Sequence, residues 1–251
     1  MLDIMKSEFY KVRKSKVTFV TALCLLGIAA IEIGAFLYGR IAGGLWGEIL
    51  SDTKGVDIYA GFSLGSFYLI FVALFVGGMI SNEYTNRTVR QVVSRGASRV
   101  QIALGQFISL ATAMTVITVV PAALASLTAS LCWEFGTVSV QKFLLIVLGQ
   151  LVVIWSYSAI TMLIAHLARS GGLSIGINIM LLLGGAVAAQ VLALLTKKDF
   201  FMEYWIESMQ QNALDPLADT GMQIKFIVIL FIIGVVFTVL GIVRFKIKDV
   251  D

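Results

Sequence analysis

Apolar residues run in six long stretches along the chain, at 17–38, 58–80, 100–131, 143–167, 173–195 and 224–243, with the polar residues gathered between them. Each stretch reaches the roughly 20 residues that a helix needs to cross the hydrocarbon core of a bilayer. Lipid offers no water to the main chain, so such stretches are expected as helices. The third is the longest and holds Pro121, which lacks an N–H and favours a kink. Ahead of the first stretch, residues 1–16 place Leu2, Met5, Phe9 and Val12 on one helical face and Asp3, Lys6, Arg13 and Lys14 mostly on the other, the pattern of an amphipathic helix lying along a membrane surface. A cleaved signal peptide is the rival reading of this start, but the apolar run that follows is longer than such peptides carry. In 196–223, apolar and aromatic residues recur between acids from Asp199 to Met209, which predicts a short interfacial helix between the last two spans. The expected fold is all-α, one transmembrane domain over 1–251.

Composition removes the soluble alternative. With 59% hydrophobic residues, 14% charged and a mean hydropathy of +0.93, the chain holds more apolar surface than a water-soluble domain hides. The charges fall unevenly. The N-terminal segment, the 81–99 loop, Arg169 and the C-terminal tail hold 13 of the 19 basic residues against five acids, and the alternate segments hold six against nine. Because basic loops stay in the cytoplasm, both termini are expected there. The basic pI of 9.1 then reports topology and calls for no nucleic acid.

Little catalytic chemistry is available. Cys24 and Cys132 lie in different apolar stretches, and His166 is the lone histidine, so neither a disulfide framework nor a two-histidine metal site is indicated. No Gly-Lys pair exists to build a phosphate-binding P-loop, so any ATP must be handled by another protein. Ser170-Gly171-Gly172 reads as a tight turn. Ser156 and Ser158 lack a base and suit hydrogen bonds between helices. Gly61-x-x-x-Gly65, Gly77-Gly78, Gly176 and Gly184-Gly185 are small residues that let helices approach closely. Glu32 stands alone as a carboxylate within a span. It reads as a proton or cation site, a contact for cationic cargo, or a packing hydrogen bond. With Glu32, the aromatic residues Phe67, Tyr68, Trp155 and Tyr157 form a candidate pathway suited to hydrophobic or amphipathic cargo.

The most informative stretch is 81–99, SNEYTNRTVRQVVSRGASR. Val89, Val92 and Val93 share a helical face, with Arg87, Arg90 and Gln91 elsewhere, so a short helix parallel to the membrane would offer a mixed surface to a partner. Here the chain resembles the permease subunit of ABC-2 type transporters. In that family an acidic residue ends span two, and a Thr-containing helix and an S/G-x-S-R-like turn lead into span three. Glu83, Thr88, Gly96, Ser98 and Arg99 stand at those positions. Gln106 departs from the pattern, since many relatives place a Lys there after a Gly. The resemblance covers nearly the whole chain. It implies that 81–99 is a coupling helix through which Glu83, Arg87, Thr88, Arg90, Arg95, Gly96, Ser98 and Arg99 meet a separate ATP-binding cassette subunit. ATP and magnesium would bind in that partner and no cofactor in this chain. Two permease chains, alike or different, would assemble with two ATPases in a bacterial plasma membrane. The cargo would be an amphipathic or antimicrobial peptide, in export or immunity. The alternatives are an ATP-independent channel or proton-coupled carrier using Glu32, and a membrane assembly protein without transport.

Overall fold

Main-chain groups inside a bilayer must pair within the protein, and a helix pairs them within one segment. A computed structural model of the chain describes residues 2–86, 88 and 98–247, and every regular element among these is a helix. In chain order they are α1 (Leu2–Lys14), α2 (Lys16–Ala42), α3 (Gly44–Ser51), α4 (Gly55–Gly61), α5 (Gly65–Thr85), α6 (Arg99–Cys132), α7 (Val140–Ala168), α8 (Gly171–Thr196), α9 (Phe200–Glu203), α10 (Ile206–Leu214) and α11 (Thr220–Ile247). Six of them, α2, α5, α6, α7, α8 and α11, are long and apolar enough to cross a membrane. The chain is an all-α, multi-pass membrane protein. α6 runs on through the buried Pro121 for 34 residues, about 51 Å at the helical rise, well beyond the hydrocarbon thickness.

α5 and α7 form the centre. Leu69, Val72 and Phe75 of α5, Ile154, Tyr157 and Met162 of α7, and Phe226 and Leu230 of α11 are almost wholly withdrawn from the surface. α7 packs tightly on α11 at Gly234, where a Cβ would stand 2.8 Å from Ser156 Oγ. The single Ser156 hydroxyl hydrogen is shared between Leu230 O at 2.7 Å and Val152 O at 2.6 Å. This serine makes the inter-helix bond its isolation suggested. Gly77 of α5 likewise faces Ser174 of α8 at 3.1 Å. Between α7 and α8, Tyr157 and Thr161 both donate to Asn178 Oδ1, at 3.4 and 3.2 Å. α2 and α8 lie outermost and bury few of their residues.

Three local readings change. The apolar stretch 58–80 is divided between α4 and α5, with Phe62–Leu64 turning between them. A Cβ at Gly61 or Gly65 would meet nothing within 4 Å, so neither is the close helix contact expected of it; Gly65 instead takes φ +80°, a left-handed conformation that glycine adopts without steric cost. The α7–α8 turn takes its left-handed residue at Arg169, φ 53°, and its glycines open α8 as ordinary helical residues.

The expected interfacial helix in 196–223 is two helices. α9 lies outside, with Lys225 of α11 bound to Glu203 at 3.0 Å. α10 plunges inward, burying Met209, Gln210, Ala213 and Leu214. Its Gln210 fits the break in span two, accepting from Gly65 N at 3.2 Å and donating to Ser63 O. Gln150 of α7 donates to Ser63 Oγ at 3.0 Å, and Ser66 donates to Glu207. Two main-chain groups at the break, Gly65 N and Ser63 O, are thus paired by protein, the condition under which irregular backbone is tolerated at membrane depth.

Candidate functional site

Both ends of the described chain lie at one end of the bundle, since Glu83 of α5 faces α1 and Arg99 Nη1 donates to Lys246 O of α11 at 3.2 Å. α1 lies on the start of α6, where Gly105 leaves room for Ile4 and Glu8, each 3.4 Å from the position of a Cβ. The docked face of α1 carries charge. Glu8 is 3% exposed and Val12 4%, whereas Phe9 and Tyr10 point away from the bundle. Of the apolar face expected to lie along the membrane surface, Val12 is turned into the bundle while Phe9 stays exposed.

Those partners form a compact ionic group. Lys11 Nζ lies 2.6 Å from Glu8 Oε1 and 3.3 Å from Glu83 Oε1, and Gln106 Nε2 donates to Glu83 Oε2. One ammonium therefore serves two carboxylates from different elements. Burial, with the Glu83 charge added, pushes the Glu8 carboxyl up to about 7 against the opposing pull of Lys11. Burial draws the Lys11 ammonium down, yet Glu83 and Glu8 more than offset it and hold its pKa above the usual value. Beyond Glu83, Thr88 Oγ1 donates to the Glu83 carbonyl at 3.2 Å, so the chain leaving span two is tied back to the residue held by Lys11.

The next residue along α5, Tyr84, belongs to a second cluster that joins α5, α7 and α11. Tyr84 Oη lies 2.8 Å from Nδ1 of the buried His166, the Arg169 guanidinium sits 5.9 Å from the Tyr84 ring centre, and Phe245 stacks on His166 at 4.9 Å. The lone histidine is an interior joint between three helices.

Of the residues expected to couple to an ATPase, Glu83, Thr88, Ser98 and Arg99 are brought to this end. Ser98 stands exposed at the N-cap of α6. Arg87, Arg90, Arg95 and Gly96 lie outside the described residues, as does most of the helix expected across 81–99, whose first residues, 81–85, instead continue α5. Sequence reasoning missed Glu8 and Lys11 as partners of Glu83. Their only signal is charge at positions 8 and 11, one helical turn apart and flanked by Ile4 and Val12 on the same face.

The expected pathway residues separate into three places. Glu32 of α2 lines a chamber of about 210 Å³ with Phe67, Tyr68 and Phe71 of α5 and Leu25 and Ile28 of its own helix. Its Oε2 is buried and bonds to no described residue. Tyr68 is almost wholly buried and hydrogen-bonded to Thr118 at 2.9 Å. Trp155 lies elsewhere, in a groove between α6 and α11, with Nε1 donating to Thr115 at 3.1 Å. Tyr157 belongs to the Asn178 cluster. Glu32, Phe67 and Tyr68 are the set that meets.

A family model described as "Protein of unknown function (DUF2705)" matches residues 19–250. No curated protein matches the chain. Since the match to that model runs from the first turn of α2 past the end of α11 and takes in every membrane-crossing helix, the chain belongs to the DUF2705 family.

Proposed function

We propose that the chain is the membrane-spanning subunit of an ATP-binding cassette exporter of the ABC-2 type, without catalysis of its own. Two such chains work with two separate ATPases that bind ATP and magnesium. The observation that carries this reading is the Glu8–Lys11–Glu83 group. It fastens the surface helix α1 to the last turn of span two, where the 81–99 segment leaves the bundle. A force applied by a partner at 81–99 or at α1 is passed to α5 and α6 as a rigid-body displacement, the usual response of packed elements. Both termini then face the cytoplasm of a bacterial cell, and the protein resides in the plasma membrane. The apolar spans suit an amphipathic or antimicrobial peptide as cargo.

The test is co-purification with the cognate ATPase. Changing Arg95 and Arg99 together to Glu is expected to abolish the complex. Unaltered association with unaltered cargo-stimulated ATP hydrolysis would overturn the coupling assignment. A second reading rests on Glu32, whose buried oxygen and chamber suit a proton-coupled carrier. Transport by the isolated chain in vesicles, lost in Glu32→Gln, would favour it over the exporter.

A further inference from the structure

The groove that holds Trp155 has about 500 Å³ of space, within the size of pockets that take small ligands. Its walls are Leu104 and Phe107 of α6 and Val235, Val239 and Ile242 of α11, with α7 as its floor. Val235 and Val239 are about half exposed, at 47% and 52%, so the groove opens sideways between two membrane-crossing helices. None of the residues lining it is charged. Three of its four hydroxyls are taken: Thr115 donates to Ala111 O at 2.8 Å, Thr238 to Gly234 O at 2.7 Å, and Ser156 shares its hydrogen between Val152 O and Leu230 O. The Trp155 N–H is spent on Thr115. The walls thus ask for hydrocarbon.

The groove also has a direction. Val235, Val239, Ile242 and Lys246 follow one another at spacings of four, three and four residues, one continuous helical stripe. That stripe passes from the apolar wall to an exposed ammonium. Arg99 of α6 reaches across to the Lys246 carbonyl, bringing a second basic residue to the same mouth. Basic residues between transmembrane helices at headgroup depth recognise anionic lipid.

We infer that the groove between α6 and α11 binds one anionic phospholipid of the leaflet nearest the chain ends, an acyl chain lying against Val235, Val239 and Trp155 and the phosphate meeting Lys246 and Arg99. The inference needs only that the chain spans a membrane; it shares Arg99 with the exporter reading, and its test therefore varies Lys246 and Val239, which that reading does not use. A lipid seated there bridges α6 and α11.

Native mass spectrometry of the delipidated full-length protein in detergent, with phosphatidylglycerol or phosphatidylcholine added back, tests this. One phosphatidylglycerol is expected to be retained at least about tenfold better than phosphatidylcholine, about 1.4 kcal/mol of preference. Val239→Trp, which fills the groove, is expected to remove that retention, and Val239→Ala to keep it. Lys246→Glu should erase the preference between the two lipids. Leu194→Trp, equally bulky on the outward face of α8, should change nothing. As a check independent of these variants, phosphatidylglycerol brominated along its acyl chain should quench a saturable part of the tryptophan fluorescence that is missing in Trp155→Phe. Equal retention of the two lipids, retention surviving Val239→Trp in folded protein, or no Trp155-dependent quenching would overturn the inference. So would a lipid-free dimer that Val239→Trp splits, since a second copy would then fill the groove.

Discussion

Lys11 answers two carboxylates at once, and its removal leaves Glu8 and Glu83 facing one another across a half-buried gap. Breaking a buried ion pair from one side costs several kcal/mol, and partial exposure of this lysine reduces that. Lys11→Met is expected to lower stability by about 2 kcal/mol, read as a fall in the thermal midpoint in detergent, and Glu8→Gln in the same chain should restore part of it. Glu8 also sets a pH dependence. Folded, its carboxyl keeps its proton up to about 7 instead of the ordinary 4.5, so the folded state holds the extra proton between those values. Stability therefore falls as pH rises from about 4.5 to 7 and is level beyond. Glu8→Gln should flatten that slope in the thermal midpoint measured across pH 4 to 8; an unchanged slope would place its origin elsewhere. Glu83 was legible because a local pattern flagged it, but its partners were not. Periodicity sorts residues by hydropathy, and nothing at position 11 points to an acid 72 residues away. Gln106, which departs from the ABC-2 permease pattern that the chain resembles, itself donates to Glu83. An amide there donates a hydrogen bond without adding charge, and Lys11 carries the cation.

Whole helices were easier to read than the way they are broken. Long apolar runs predict spans by length alone, and all six appear. The break at Phe62–Leu64 stayed hidden because Phe62 and Leu64 are as apolar as their neighbours, and a hydropathy pattern is blind to φ. The inward turn of α10 stayed hidden for the converse reason. Gln210 reads as a surface residue until its partners, the main-chain groups of Gly65 and Ser63, are known. Gln210→Leu is expected to strand the buried Ser63 carbonyl and the half-buried Gly65 N–H, at about 1–3 kcal/mol for each group left unsatisfied. The measurement is hydrogen exchange over 206–214 and 62–66, where Gln210→Leu should raise the rates at both segments together. Acceleration confined to 206–214 would count against Gln210 as the fastener of the break.

For the molecule as a whole, the uneven coverage of its helices is the informative feature. α5 and α7 are enclosed, while α2 and α8 present runs of large apolar side chains outward, among them Phe19, Ile31, Met180 and Leu194. Lipid covers such faces readily, and so does a second permease chain in the proposed assembly. Cys24 is exposed on α2 and offers a native probe. If α2 lies at the symmetry axis, oxidation in membranes should yield a Cys24-dependent dimer that Cys24→Ser abolishes. If α8 lies there, a cysteine at Met180 in the Cys24→Ser background should cross-link instead. Cross-linking by neither would remove these two faces from the dimer. Hydropathy foretold that these helices cross the membrane but carried no sign of which would be left uncovered, since an apolar side chain reads alike against protein and against lipid.

The fastening of Gly65 and Ser63 by Gln210 also imposes an order on biogenesis. The two ends of that contact lie 145 and 147 residues apart, so when the second apolar stretch leaves the ribosome, the amide that satisfies its break has not been made. Residues 62–64 must therefore wait in water, in the insertion machinery, or as a continuous provisional helix until α10 arrives. A chain halted before residue 206 should accordingly leave a cysteine placed at position 63 open to a water-borne thiol reagent, and the full-length chain should close it.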